Sequence, residues 1–246
     1  MDKQMMKSAI VTGGSRGIGA AISRRLVADG FAVTINYAGN QAAAEKLVAD
    51  IIAAGGQAQA VQGDVADHAT IVALFDAAAA AFGGVDLLVN NAGVFSTAPL
   101  ADQTDDDFDR LIAINLKGAF NGMREAAKRM RNGGRIINLS TSVVGMKLET
   151  YGVYAATKAA VETLTAILSK ELRGRSITVN AVAPGPTATA LFLTGKSPEL
   201  VERLAKMAPL ERLGTPDDIA AAIAFLAGPD GAWINGQVLR ANGGIV

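Results

Sequence analysis

No cysteine occurs in the 246 residues of this chain, which excludes disulfides and thiolate metal sites. There is one histidine, His68, and it reads as the start of a helix, so a Ser-His-Asp hydrolase is not expected. Neither sign of charge dominates: 23 basic residues balance 23 acidic ones, and no basic stripe marks a nucleic-acid surface. The most cationic stretch, Arg124 to Arg135, alternates with Ala and Met at helical spacing and reads as a solvated helix face. No apolar run approaches the roughly 20 residues that span a membrane. The opening M-D-K-Q-M-M-K has no signal-peptide core. These absences lead us to expect a soluble, cytoplasmic protein without metal, nucleic-acid or membrane partners.

Half of the residues are hydrophobic, ample for a large core, and they follow a regular rhythm. Short β-branched runs at 8–12, 32–35, 57–62, 87–90, 135–139, 177–183 and 237–239 alternate with helical patterns. Thr104 precedes three acids, Asp105, Asp106 and Asp107, which suit the positive end of a helix dipole. Thr215-Pro216 opens another helix with proline at its first position. Such alternation means an α/β fold: a doubly wound, seven-stranded parallel sheet with helices on both faces. No composition break divides residues 1–246, so one domain is expected. The irregular stretch at about 185–213 is too long for an ordinary connection and reads as a substrate-loop insertion. Within it, Leu191-Phe192-Leu193 is apolar, as suits a lid or a helix-packing segment.

Three motifs carry chemistry. Tyr154 and Lys158, in Y-A-A-T-K, are four apart on a helical pattern and share one face. An ammonium beside a phenol favours the phenolate, so Tyr154 should titrate below its ordinary value of about 10 and serve as proton donor and acceptor. Second, T-G-G-S-R-G-I-G (Thr12 to Gly19) follows a strand and opens a helix. In that context Gly13, Ser15, Arg16, Gly17, Ile18 and Gly19 can rest a pyrophosphate on backbone N–H groups. Third, the second strand ends Asn36-Tyr37-Ala38-Gly39 without the acid that an NAD site uses for the adenosine ribose. A 2′-phosphate could instead take a hydrogen bond from Asn36 and charge from Arg16, which points to NADP(H).

Together with N-N-A-G (Asn90 to Gly93) and Asn115, these motifs resemble the short-chain dehydrogenase/reductase family over nearly the whole chain. The resemblance implies a Rossmann fold and roles for further residues. Asp64-Val65 resembles the position that holds the adenine, and Asn91, Ala92 and Gly93 line the cofactor while buttressing the sheet. Asn115, a poor helix-interior residue, matches the catalytic asparagine that kinks its helix and holds a water linked to Lys158. For the catalytic hydroxyl, the commonest spacing from the tyrosine lands on Thr141, whereas the S-x-x-G register lands on Ser142. Both stay candidates, with Ser142 favoured. Pro184-Gly185-Pro186-Thr187-Ala188-Thr189 resembles the loop that meets the nicotinamide, with Pro184, Gly185, Thr187 and Thr189 as contacts.

The stretch 184–246 looks most like 3-oxoacyl and naphthol reductases. The expected activity is therefore reversible NADPH-dependent reduction of a ketone or aldehyde, with 3-oxoacyl thioesters as one candidate class. An NAD-dependent alcohol or sugar dehydrogenase and a non-catalytic NADP(H)-binding regulator are the alternatives. Trp233, in A-W-I-N-G-Q-V, resembles the family's oligomer-forming tail, so a homotetramer is expected; a buried core tryptophan would leave the same trace.

Overall fold

In the computed structural model, which describes residues 6–246, the apolar runs become seven parallel strands. They are β1 (Lys7–Val11), β2 (Phe31–Tyr37), β3 (Ala58–Gln62), β4 (Leu87–Asn90), β5 (Arg135–Leu139), β6 (Thr178–Pro184) and β7 (Val238–Ala241). They lie in the order β3-β2-β1-β4-β5-β6-β7. Because the sheet is covered on both faces, successive residues of one strand enter different cores. Ala9 and Val11 pack toward α1 (Gly17–Ala28) and α10 (Pro216–Ala227), while Ile10 packs toward α3 (His68–Phe82) and α5 (Gly118–Arg129). Helix α2 (Gln41–Ala53) joins the first layer and α7 (Gly152–Glu171) the second. Strand order reverses between β1 and β4, whose Val11 and Val89 are register partners. That reversal opens the crevice where doubly wound folds take ligands.

Several details differ from the sequence expectation. Strand β2 extends through Asn36 and Tyr37, which are buried and pair with Val61 and Gln62 of β3. The Arg124–Arg135 stretch is largely ion-paired rather than merely solvated: Lys128 meets Glu125, Arg129 meets Asp76 and Arg131 meets Asp86. The stretch 185–213 is partly helical, with α8 (Ala190–Leu193) capped by Thr189 and α9 (Pro198–Lys206) capped by Ser197. Helix α4 (Asp105–Leu111), capped by Thr104, runs into α5 through a π-helical turn, Ile112–Lys117. A four-residue helix, α6 (Val143–Met146), precedes α7. Among the described residues no helix is long and apolar enough to cross a membrane, and no cluster of His, Asp and Glu could hold a metal.

Candidate active site

The glycine turn after β1 is held in place by three buried or half-buried side chains. Gly13 has φ +59°, and a Cβ there would lie 2.9 Å from the Ala92 Cα, so only glycine fits without strain. A Cβ on Gly19 would come within 2.2 Å of the Gly13 carbonyl, which lets α1 begin directly under the turn. The Asn91 amide donates to the Thr12 and Gly13 carbonyls, both at 2.9 Å. The Thr12 hydroxyl accepts from the backbone N–H of Asn91 and of Ala92 at 3.0 Å. Arg16 is the N-cap of α1 with no side-chain cap bond, so the first N–H groups of a 12-residue helix face outward as an anion cradle. Ser15 is half-buried on that turn, and Ile18 packs into the core.

Asn36 is not the ligand donor that the sequence suggested. It is buried, its carboxamide oxygen accepts from Gly13 N at 3.2 Å, and its amide donates to the Gly63 carbonyl at 2.9 Å. The side chain is thus spent on joining the glycine turn to the end of β3. Arg16 remains exposed and makes no ion pair among the described residues. Tyr37 is buried and Ala38 exposed at the end of β2. Asp64 is exposed and accepts from Ala66 N at 2.9 Å; Val65 is buried against Gly118, its carbonyl accepting from Asn121 at 3.0 Å.

Tyr154 and Lys158 sit on successive turns of α7, as their spacing requires. Phe95 and the Tyr154 ring pack at right angles with centroids 5.1 Å apart, and the Thr141 hydroxyl, which accepts from Val143 N at 3.3 Å, lies on the side of the phenol, where its influence favours the phenolate. Lys158 is buried with its ammonium donating to the Leu139 carbonyl at 2.8 Å. Their titration departs from the expectation. Burial pushes Tyr154 up to about 12, outweighing the Thr141 hydroxyl, which lowers it. The same loss of solvation pulls Lys158 down to about 8. The lysine points at a backbone carbonyl, so desolvation favours the neutral form of each group.

Asn115 lies in the π-helical turn, where the extra residue turns its side chain inward. It grips both backbone polar groups of Val94: its oxygen accepts from Val94 N at 2.8 Å and its amide donates to Val94 O at 3.0 Å. A Cβ on Gly93 would be 3.2 Å from the Asn115 oxygen and 3.5 Å from the Lys158 ammonium, so Gly93 leaves the approach to both open. The two hydroxyl candidates separate. Thr141 faces Tyr154, whereas the buried Ser142 hydroxyl donates to the Ala183 carbonyl at 3.1 Å and accepts from Asn242 at 2.9 Å. The favoured candidate, Ser142, thus has its hydroxyl turned to β6 and the final residues, and Thr141 is the one on the side of the phenol.

The loop after β6 is anchored on both sides. Ser142 N donates to Pro184 O at 2.9 Å, and Gly185 N donates to Ala241 O at 3.0 Å. Thr187 is buried with its hydroxyl on Gly185 O, and the Thr189 side chain lies against Gly17. Sequence reasoning missed Phe95, Tyr151 and Asn242. Phe95 follows N-N-A-G by two residues, a signal that could have been read. Asn242 could not, since its contact with Ser142 spans 100 residues of sequence.

The strand order, the glycine cradle at the switch point and the Tyr154–Lys158 pair define a class, the nucleotide-dependent oxidoreductases built on a doubly wound sheet. The family profile described as enoyl-(acyl carrier protein) reductase matches residues 13–246. A short-chain type dehydrogenase/reductase of Picea abies is 49% identical over 97% of this chain and 92% of its own. An NADPH-dependent aldehyde reductase-like protein of Arabidopsis thaliana, chloroplastic, is 44% identical over 97% of this chain and 93% of its own. The solved short-chain dehydrogenase of Burkholderia cenocepacia in complex with NADP superposes with a TM-score of 0.92 at 39% identity, covering 99% of both chains. This chain belongs to the short-chain dehydrogenase/reductase family of oxidoreductases.

Proposed function

We propose that the protein is an NADPH-dependent carbonyl reductase that converts an aldehyde or ketone to its alcohol, reversibly. The observation that carries this reading is the Tyr154 phenol, neutral in its buried setting, beside Thr141 and one helical turn from the buried Lys158. The residues present fit a dinucleotide. A Cβ on Gly13 or Gly19 would collide with the turn, Gly17 has a positive φ, the α1 N-terminus has no side-chain cap, and Arg16 has no acidic partner among the described residues. When bound, NADPH supplies the hydride. The Arabidopsis relative named for NADPH and the solved relative holding NADP support the same cofactor.

The chain's own residues do the rest. Thr141 and Tyr154 donate hydrogen bonds to the substrate carbonyl oxygen, so that charge developing there meets fixed donors. Tyr154 then gives its proton to that oxygen. A protonated Lys158 stabilises the phenolate left behind and returns a proton to it. Asn115, locked on Val94, positions that end of the site, and residues 185–213 form the substrate loop. A 3-oxoacyl thioester is one candidate substrate class. The intact Tyr154, Lys158 and Asn115 favour an enzyme over a non-catalytic regulator. Trp233 is 99% exposed, which removes the core-tryptophan reading and supports a homotetramer that covers it; sedimentation would check the assembly. A cytoplasmic setting is proposed from the sequence alone, to be checked by fractionation.

The decisive test follows NADPH absorbance against a panel of aldehydes and ketones, for wild type and Tyr154→Phe. General acid–base help is worth about 100- to 10,000-fold, and the variant should lose turnover in that range with NADPH affinity unchanged. Retention of more than about a tenth of wild-type turnover would remove Tyr154 as the proton donor.

A further inference from the structure

One cation near the site has no role in the scheme above. Lys196, in the connection from α8 to α9, is half-buried. Its ammonium lies 4.6 Å from the centroid of the Phe192 ring and 5.8 Å from that of Phe95. Its single hydrogen bond goes to the Phe192 carbonyl at 2.5 Å, and it forms no ion pair among the described residues. An ammonium has three donors, so two are left unused. Drawing a cation partly out of water without a carboxylate costs free energy, which the two ring faces offset only in part.

The placement of Phe95 gives this cation a direction. The same ring that faces Lys196 stands edge-on to Tyr154 at 5.1 Å and lies 5.5 Å from Tyr151. Phe95 is therefore one wall shared by the reacting phenol and the unpaired ammonium. A flat substrate whose carbonyl meets Tyr154 would lie along Phe95 and end at Lys196.

We propose that Lys196 is a specificity-determining residue that receives a carboxylate at the far end of the substrate, with a flat or unsaturated spacer lying against Phe95. The proposal rests on the carbonyl reductase reading. An opposing role is a clasp, in which Lys196 only pins the lid to Phe95 and matters equally for every substrate.

The test compares 4-carboxybenzaldehyde with its neutral methyl ester in wild type, Lys196→Met and Lys196→Arg. Losing one charge-assisted hydrogen bond should lower kcat/KM for the carboxylate at least about tenfold. The loss should fall in KM, leave the ester little changed, and be reversed by Arg. Equal losses on both substrates would establish the clasp and overturn the proposal. Calorimetric binding of terephthalate, which cannot react, to the NADPH-saturated protein separates this inference from the activity it rests on. Weaker terephthalate binding in Lys196→Met supports the carboxylate site even if no aldehyde is turned over. Absent or equal binding in wild type and Lys196→Met overturns it.

Discussion

The hydroxyl of Thr141 lies on the side of the Tyr154 phenol and favours its ionised form, while that of Ser142, one residue on, is turned to the Ala183 carbonyl and Asn242. Ser142 already has helical backbone at the start of α6 and its hydroxyl is engaged on both sides, which leaves Thr141 as the hydroxyl facing the phenol. Thr141→Val should therefore cost more kcat than Ser142→Ala, with NADPH affinity kept in both. Ser142→Ala should show its effect as a lower Tm, because it leaves buried partners unsatisfied. A larger kcat loss at Ser142 with unchanged Tm would reverse the assignment.

Cofactor choice should rest on Arg16. A charge-assisted hydrogen bond to a 2′-phosphate is worth roughly 1.5–3 kcal/mol. Arg16→Ala should then raise the KM for NADPH at least about tenfold and leave that for NADH little changed. Equal weakening of both cofactors, or an NADH preference in wild type, would remove Arg16 from this role.

Asn36→Asp now tests structure rather than specificity. A carboxylate can still accept from Gly13 N but cannot donate to Gly63 O, and it would place an unpaired charge in a buried setting. The variant should melt at a lower temperature and lose affinity for NADH and NADPH alike. A selective gain toward NADH at unchanged Tm would show that Asn36 does face the ribose.

Lys158 sets a pH window. Its folded pKa of about 8 lies below the usual 10.5, so between those values the unfolded chain holds a proton that the folded chain has shed. Stability must then rise with pH across that window, by at most about 1.4 kcal/mol per unit. Below pH 8 the cost of burying the charge is constant. Denaturant unfolding of wild type against Lys158→Met should show their difference flat below about pH 8 and shifting in favour of wild type up to about 10.5. Reduction requires the charged lysine, so its rate should decline as pH climbs through about 8. A rate that stays level to pH 10 would mean that the lysine charge is not needed.

The sheet and the motif positions were legible because parallel strands buried on both faces read as continuous apolar runs and the glycines mark turns with few alternatives. What each amide does was not. Asn36, Asn91 and Asn115 are chemically alike, and their partners Gly63, Gly13 and Val94 are distant in sequence. Only the assembled sheet decides whether an amide faces a ligand or a neighbouring loop. The titration of Tyr154 and Lys158 was missed for a similar reason. Spacing of four reports a shared helix face, but not the depth at which that face is buried or the Leu139 carbonyl that takes the ammonium.

The near-contact of Gly17 with Thr189 joins the first loop of the chain to one of its last. The turn that would cradle a pyrophosphate thus lies against a residue from the loop after β6, so the two ends of the site come together only when β1 and β6 share one sheet. Occupancy then acts on the domain as a whole: at a hundred times its Kd a ligand adds about 2.7 kcal/mol to the global stability.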